Sequence, residues 1–132
     1  MLDINSYNGV TLAYIGDAVI ELFIREALIC SGVTDTGRLS AAAQKLVCAP
    51  MQSALTEKLL PLLTEEEESA YRLGRNHHIH GKPKRATVAE YSRATGMEAV
   101  FGYLHMTGAQ NRAKTLFFEI YGEALTQIQK IL

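Results

Sequence analysis

The sequence has little cysteine and no long apolar run. Its 132 residues include two cysteines, Cys30 and Cys48, which lack the spacing of a metal site. We predict that both are reduced core residues, and a disulfide is the less favoured alternative. No apolar segment approaches the roughly 20 residues of a membrane span, and the polar N-terminus is unlike a signal peptide. These absences favour a cytoplasmic protein.

Proline is also scarce, and no segment alternates apolar and polar residues as a half-buried strand does. Apolar residues instead recur at every third or fourth position, with helix-capping residues between the runs. We predict one all-α domain over residues 1–132, with about six or seven helices. The predicted helices begin near Asn8 to Val10, after Asp35 or Thr36, at Pro50, after Thr64, after Thr87 and after Gly108.

Two clusters could suggest metal binding, but each has an alternative. The run Glu65–Glu68 follows Thr64, and a capping box from Thr64 to Glu67 would place these acids at the positive end of a helix. The run "HHIH" at residues 77–80 offers ligands that are too close together to enclose zinc alone. We favour the alternative to metal binding in both cases.

Positive charge is concentrated in one segment, although the net charge of −1 gives no hint of a nucleic-acid partner. Residues 72–93 contain six of the thirteen lysines and arginines and one acidic residue. Such a segment suits phosphate, because its cations release counterions when they bind a polyanion. The alternative is a solvated segment between two helices.

Two carboxylates interrupt helices that are otherwise apolar. Asp17 directly follows Gly16, and Glu98 lies between two glycines. A pair of buried carboxylates is costly unless a cation lies between them, and Mg²⁺ prefers such oxygen ligands. We predict that Asp17 holds a metal, that Gly16 clears space for it, and that Glu21 is a further ligand or supports one. Pairing of Asp17 and Glu98 with arginines inside the fold is an equally good alternative from spacing alone.

These two segments resemble a known family. "LAYIGDAVIEL", residues 12–22, resembles the ribonuclease III signature, and "MEAVFGYL", residues 97–104, resembles the second motif of that family. Agreement over the whole chain is closest to Mini-ribonuclease III, the short bacterial branch without a double-stranded-RNA-binding domain. The "GRN" before the basic segment, the Pro-Lys pair within it and Tyr91 are similar to that branch as well.

The resemblance implies an all-α ribonuclease III endonuclease-type domain that uses Mg²⁺ to cut double-stranded RNA as a two-fold homodimer. Asp17 and Glu98 match the catalytic metal ligands. The implied substrate is the large-subunit (23S) ribosomal RNA precursor, with a ribosomal protein as a candidate partner. Ala13 and Thr95 stand where full-length members carry a glutamate and an aspartate, so water or RNA phosphate oxygens would supply more of the metal ligands.

Without a separate binding domain, this chain has to hold the RNA duplex itself. Duplex RNA is recognised by shape and by contacts to its phosphates and 2′-hydroxyls. We therefore assign the RNA contact to the polar and basic residues of the segment. These residues are Arg75, Asn76, Lys82, Lys84 and Arg85, with His78 and His80 as further candidates.

Two other functions are alternatives. One is a non-catalytic RNA-binding or ribosome-assembly protein with the same dimeric fold, for which Ala13 and Thr95 would be signs of a decayed site. The other is an all-α, Mg²⁺-dependent nucleotide pyrophosphohydrolase, which needs paired acidic motifs on facing helices, and "TEEEES" supplies at most one. The presence of both Asp17 and Glu98 favours an active nuclease.

Overall fold

The computed structural model describes residues 6–77 and 86–132, and six α-helices account for most of them. These residues contain no β-strand, which confirms the predicted all-α class and helix number. None of the helices is both long and apolar enough to cross a bilayer. The helices are α1 (Gly9–Ile29), α2 (Thr36–Val47), α3 (Ala49–Leu59), α4 (Glu65–Arg75), α5 (Val88–Met106) and α6 (Gln110–Gln129), and a 3₁₀ turn, Leu60–Leu62, follows α3.

The helices begin and end where the capping residues predict. Asn8 accepts a hydrogen bond from the first-turn backbone N–H of Thr11 at 2.8 Å. Asp35 accepts one from the backbone N–H of Arg38 at 3.3 Å. Such bonds satisfy N–H groups that the helix itself leaves unpaired. The predicted capping boxes Thr64–Glu67 and Thr87–Glu90 begin α4 and α5, and Gly32 and Gly108, both with positive φ angles, follow the ends of α1 and α5.

Helix α5 is the central helix and contacts α1, α3, α4 and α6. Its middle turns are fully buried, with Met97, Val100 and Phe101 all at 0% exposure. Tyr121 on α6 is also fully buried, and its hydroxyl donates to the Leu46 carbonyl at 2.9 Å. The core therefore fixes α5 against its neighbours on several sides.

Helices α1 and α5 touch backbone to backbone. A Cβ atom on Gly16 would overlap the Glu98 carbonyl oxygen, and one on Gly102 would overlap the Leu12 carbonyl oxygen. Glycine is required at both positions because any side chain would push the helices apart. The prediction that Gly16 clears space for a metal is therefore wrong. The space it provides is filled by the backbone of α5.

Small residues also join α4 to this pair of helices. A Cβ on Gly9 of α1 would overlap the Leu73 carbonyl of α4, and one on Gly74 would lie 2.6 Å from the Thr95 carbonyl oxygen of α5. Leu12 and three alanines, Ala13, Ala70 and Ala99, fill the centre of this seam. Three helices are thereby held closer together than larger side chains would permit.

The acidic run at the start of α4 has a structural role. Glu67 is 3% exposed and accepts hydrogen bonds from Nε and Nη2 of Arg112 on α6, each at 3.0 Å. Burial opposes ionisation of Glu67, but bonds from Arg112 and Thr64 outweigh it and hold the pKa of Glu67 below its ordinary value. The pair ties α4 to α6, which supports the structural alternative to a metal site here.

The cysteine prediction is wrong in one respect. Both thiols are free, but both side chains are exposed rather than in the core. Cys30 is the C-cap of α1 and Cys48 lies between α2 and α3. Residues at helix ends lie beyond the part of the helix that packs against the core, which accounts for the exposure of both cysteines.

We expect Gly16→Ala to destabilise the protein by about 1–3 kcal/mol or more, because the new methyl group cannot fit between two backbones. The matched control is Gly122→Ala on α6, where a Cβ would have no neighbour within 4 Å. There the substitution should stabilise by about 0.5–1 kcal/mol through lower chain entropy in the unfolded state. Urea unfolding of both variants measures the difference, and equal stabilities would contradict the close contact.

Candidate active site

Asp17 and Glu98 meet where α1 crosses α5. Gly16 of α1 lies against the backbone of Glu98, so the side chain that follows Gly16 is carried to the same place. The two carboxyl groups lie within hydrogen-bonding reach of each other. The predicted pair, 81 residues apart in sequence, is therefore brought together by a backbone contact.

No cationic side chain among residues 6–77 and 86–132 forms an ion pair with either carboxylate. Asp17 is exposed and Glu98 is half-buried. Burial, and then the adjacent Asp17 carboxyl, raise the pKa of Glu98 to about 9. Two carboxylates this close cannot both ionise without cost, and Glu98 therefore keeps its proton at neutral pH in the metal-free protein. Within the described residues, the alternative in which arginines neutralise the pair is not found.

The pair lies in an open cleft of about 540 Å³. Four regions of the chain form its walls: the first half of α1, the junction of α2 and α3, the residue after the C-cap of α4, and the first half of α5. The lining residues are Val10, Ala13, Tyr14, Asp17, Val47, Ala49, Gln52, His77, Tyr91, Ala94, Thr95 and Glu98.

Ala13 and Thr95, the two departures from the full-length family pattern, both line this cleft. Ala13 is 6% exposed and belongs to the small-residue seam. Thr95 is 8% exposed, and its hydroxyl donates to the Tyr91 carbonyl at 2.9 Å within the same helix. Neither side chain adds a charged ligand, so the cleft lining contains two carboxylates.

Glu21 does not line this cleft, although it lies one helical turn beyond Asp17. Its carboxylate accepts a hydrogen bond from Nη2 of Arg25 at 3.2 Å and borders a separate depression with that arginine. The structure therefore brings together two of the three predicted ligands. Glu21 is paired with the basic side chain of Arg25, whereas neither Asp17 nor Glu98 is paired with a basic side chain of the described residues.

The predicted RNA-contacting residues divide into two groups. Arg75 and Asn76 are exposed at the end of α4, directly before His77 of the cleft wall. The Arg75 guanidinium donates from Nε to Asn76 Oδ1 at 3.1 Å and lies 5.8 Å from the centroid of the Tyr71 ring. The other predicted residues, His78, His80, Lys82, Lys84 and Arg85, lie outside the described residues.

Sequence reasoning missed three polar members of the cleft: Tyr14, Gln52 and His77. Tyr14 is 82% exposed although it is part of the apolar signature segment, and a large aromatic residue three positions before Asp17 was a usable signal. Gln52 is 2% exposed, and a buried amide in the first turn after Pro50 gave no such signal. Only the packing of α3 against α5 shows that it reaches the cleft.

The donor set of the cleft fits a hard divalent cation. Among the described residues there is no group of three or more His, Cys, Asp or Glu side chains placed to hold a metal, so a transition-metal cage is not formed by them. Two carboxylates without a cationic partner match the habit of Mg²⁺, which is held by one or two carboxylates and keeps several waters. A cation between Asp17 and Glu98 would also remove the like-charge conflict.

Comparison with known proteins gives a consistent result. The Ribonuclease III domain family model matches residues 10–109. A Mini-ribonuclease 3 from Streptococcus pneumoniae is 45% identical over 118 residues, covering 88% of this chain and 92% of that protein. A Mini-ribonuclease 3 from Symbiobacterium thermophilum is 45% identical over 102 residues, covering 77% and 78%.

A solved structure agrees with these relatives. The crystal structure of a Fusobacterium nucleatum protein superposes with a TM-score of 0.80 at 30% identity, covering 88% of this chain and 94% of that chain. The range matched by the family model, residues 10–109, contains both Asp17 and Glu98. The chain therefore belongs to the ribonuclease III family, in its Mini-ribonuclease 3 branch.

Proposed function

We propose that this ribonuclease III-type enzyme uses Mg²⁺ at Asp17 and Glu98 to hydrolyse phosphodiester bonds in double-stranded RNA. The observation that supports it most directly is the carboxylate pair itself. The two groups come from distant parts of the chain, share an open cleft and have no cationic neighbour among the described residues. Such an arrangement raises the free energy of the metal-free protein, which a purely structural role would not explain.

The chain's own residues position the reaction rather than attack the substrate. Asp17 and Glu98 would hold Mg²⁺ with carboxylate oxygens, and Glu98 would release its proton in doing so. When bound, Mg²⁺ lowers the pKa of a coordinated water and offsets the charge that develops on the phosphate. Because the cleft lining supplies two carboxylates, the RNA phosphate and waters would complete the coordination.

We assign RNA contact to the rim of this cleft. Arg75 has Nη donors that are not used by Asn76, and Asn76 and His77 extend from it to the cleft wall. Phosphates bind such exposed cations through sequence-independent contacts. The basic residues Lys82, Lys84 and Arg85 follow in the chain and would add to the same contact, so that residues 1–132 act as one catalytic domain.

A homodimer through α1 is consistent with the exposed apolar side chains of that helix. Leu22 is 55% exposed and Tyr14 is 82% exposed, while Ile15, Ala18 and Phe23 border a groove beside α6. Apolar surface of this kind favours protein association. Because Asp17 is on the same helix, a two-fold axis near α1 would place two cleavage sites near each other, one for each RNA strand.

The cellular substrate that we propose is the 23S ribosomal RNA precursor in the cytoplasm, with a ribosomal protein assisting its presentation. This substrate is what the resemblance to Mini-ribonuclease III implies, and the residues of the cleft do not specify it. Sequencing the precursor ends in cells that lack the protein would test it.

The pyrophosphohydrolase alternative loses its acidic motif, because Glu67 is engaged by Arg112.

We expect Asp17→Asn and Glu98→Gln each to abolish cleavage of a labelled RNA duplex in Mg²⁺, because each removes a charged metal ligand. Duplex binding, measured in EDTA by gel shift, should stay within a few-fold of wild type. Glu119→Gln, at an exposed carboxylate on α6, is the matched control and should cleave normally. Cleavage at the wild-type rate by either ligand variant would contradict the assignment, and a non-catalytic binding protein would show no cleavage even as wild type.

The metal-free protein should lose stability as the pH rises from about 5 to about 9. The pKa of Glu98 is about 9 in the folded chain, against about 4.3 for an ordinary glutamate. The folded chain therefore keeps a proton that the unfolded chain releases, and this difference disfavours folding as the pH rises. Glu98→Gln cannot ionise, so its advantage over wild type should grow with pH.

Urea unfolding in EDTA at several pH values measures this difference. Glu119→Gln should follow the wild-type profile, because its carboxylate is exposed and distant from the pair. Mg²⁺ affinity of the wild type should rise over the same pH range, since binding displaces the proton. Parallel profiles for wild type and Glu98→Gln would show that the folded chain does not hold the Glu98 proton over this pH range.

The triple variant Lys82→Ala, Lys84→Ala, Arg85→Ala should bind duplex RNA more weakly, while single-turnover cleavage at saturating protein changes less. Each lost phosphate contact should reduce the slope of log affinity against log salt by about 0.7–0.9. The matched control is Lys45→Ala, Lys58→Ala, Lys130→Ala, which removes the same charge from exposed positions elsewhere. Equal affinity of the two triple variants at moderate salt would exclude the basic segment from the contact.

A further inference from the structure

Gln52 is an unusual buried residue. It lies on α3 with 2% exposure, and its Nε2 has no hydrogen-bond partner among residues 6–77 and 86–132. Among those residues, no other buried side-chain nitrogen or oxygen lacks a hydrogen-bond partner. Leaving such a donor unpaired costs about 1–3 kcal/mol, and unsatisfied buried groups in native proteins call for a physical explanation.

The surroundings of Gln52 point towards the carboxylate pair. Gln52 lines the same cleft as Asp17 and Glu98. The Tyr121 phenol lies beside the Gln52 amide, and burial chiefly raises the pKa of Tyr121, so the phenol stays protonated. The Tyr121 hydrogen is donated to the Leu46 carbonyl. Tyr121 therefore does not supply a hydrogen bond to Glu98, and the unused N–H of Gln52 remains.

We propose that Gln52 is a positioning residue, whose Nε2 donates to the Glu98 carboxylate once a divalent cation occupies the site. The inference rests on the proposed function and adds a residue that acts on the metal through Glu98. In the metal-free chain Gln52 Nε2 lies at the cleft of Asp17 and Glu98 and has no hydrogen-bond partner among the described residues. When Glu98 becomes a charged ligand, a donor beside its carboxylate would stabilise the charge and fix its orientation.

A neutral donor suits this position better than a cation. A lysine or arginine at residue 52 would bind the Glu98 carboxylate as a permanent ion pair and compete with the metal. An amide stabilises the charged carboxylate and fixes its orientation, yet leaves its charge available to the cation. A purely apolar side chain would fill the same space but supply no donor to the charged carboxylate.

The test is Gln52→Met, which keeps an unbranched side chain of similar size and removes the donor. We expect Mn²⁺ affinity, measured by electron paramagnetic resonance without RNA, to fall about 10–100-fold. The thermal midpoint of the metal-free variant should equal or exceed that of wild type, because an unsatisfied group is lost. Raising Mg²⁺ should restore the RNA cleavage rate. Gln127→Met, at an exposed glutamine on α6, should leave Mn²⁺ affinity and cleavage unchanged.

The outcomes separate this inference from the proposed function. If wild type binds Mn²⁺ and cuts RNA, and Gln52→Met binds Mn²⁺ with wild-type affinity, the proposed function holds and the role of Gln52 is excluded. If wild type neither binds nor cuts, both are overturned. Should Gln52→Met fail to fold, Gln52→Asn keeps the amide but withdraws it by one methylene. It should also lose affinity, and wild-type affinity in this variant would overturn the proposal.

Discussion

The backbone contact between α1 and α5 is the constraint on which the rest of the site depends. Because Gly16 and Gly102 each lie against a carbonyl of the other helix, the two helices cannot slide or separate without losing that fit. Asp17 and Glu98 are carried on these helices, so the backbone fixes the positions from which their side chains enter the cleft. A site that must hold a metal in one geometry gains from this rigidity.

The rest of the fold stabilises an arrangement that is electrostatically unfavourable by itself. Two adjacent carboxyl groups, one with a pKa raised to about 9, and an unpaired amide all disfavour the metal-free state. Opposing them are fully buried aromatic residues, two capping boxes and the Glu67–Arg112 pair that joins α4 to α6. The contrast between Glu67 and Glu98 is informative: the fold shields both acids from water at least in part, but among the described residues only Glu67 has an arginine beside it.

Much of the fold could be predicted because its signals are local. Asn8, Thr64 and Thr87 cap helices through residues three positions away, and Gly108 takes the left-handed conformation that ends a helix. The carboxylate pair was predicted from motif resemblance, but the reason given for Gly16 was wrong, since a helical glycine does not show which backbone will approach it. Gln52 and the Glu67–Arg112 pair could not be predicted, because each depends on a neighbour from a distant helix.

The small number of acidic ligands links metal binding to substrate binding. Ala13 packs into the seam and Thr95 bonds within its own helix, so neither adds charge to the cleft. If Asp17 and Glu98 hold the cation alone, its remaining positions are open to water or to a phosphate oxygen of the RNA. A phosphate that takes one of these positions binds the cation more strongly than water does, and the cation in turn strengthens the binding of that phosphate. By thermodynamic reciprocity each ligand raises the affinity of the other by the same factor. Under the proposed function, the cleft would therefore be weakly occupied by metal until RNA arrives, and its two-carboxylate composition would couple metal loading to the presence of substrate.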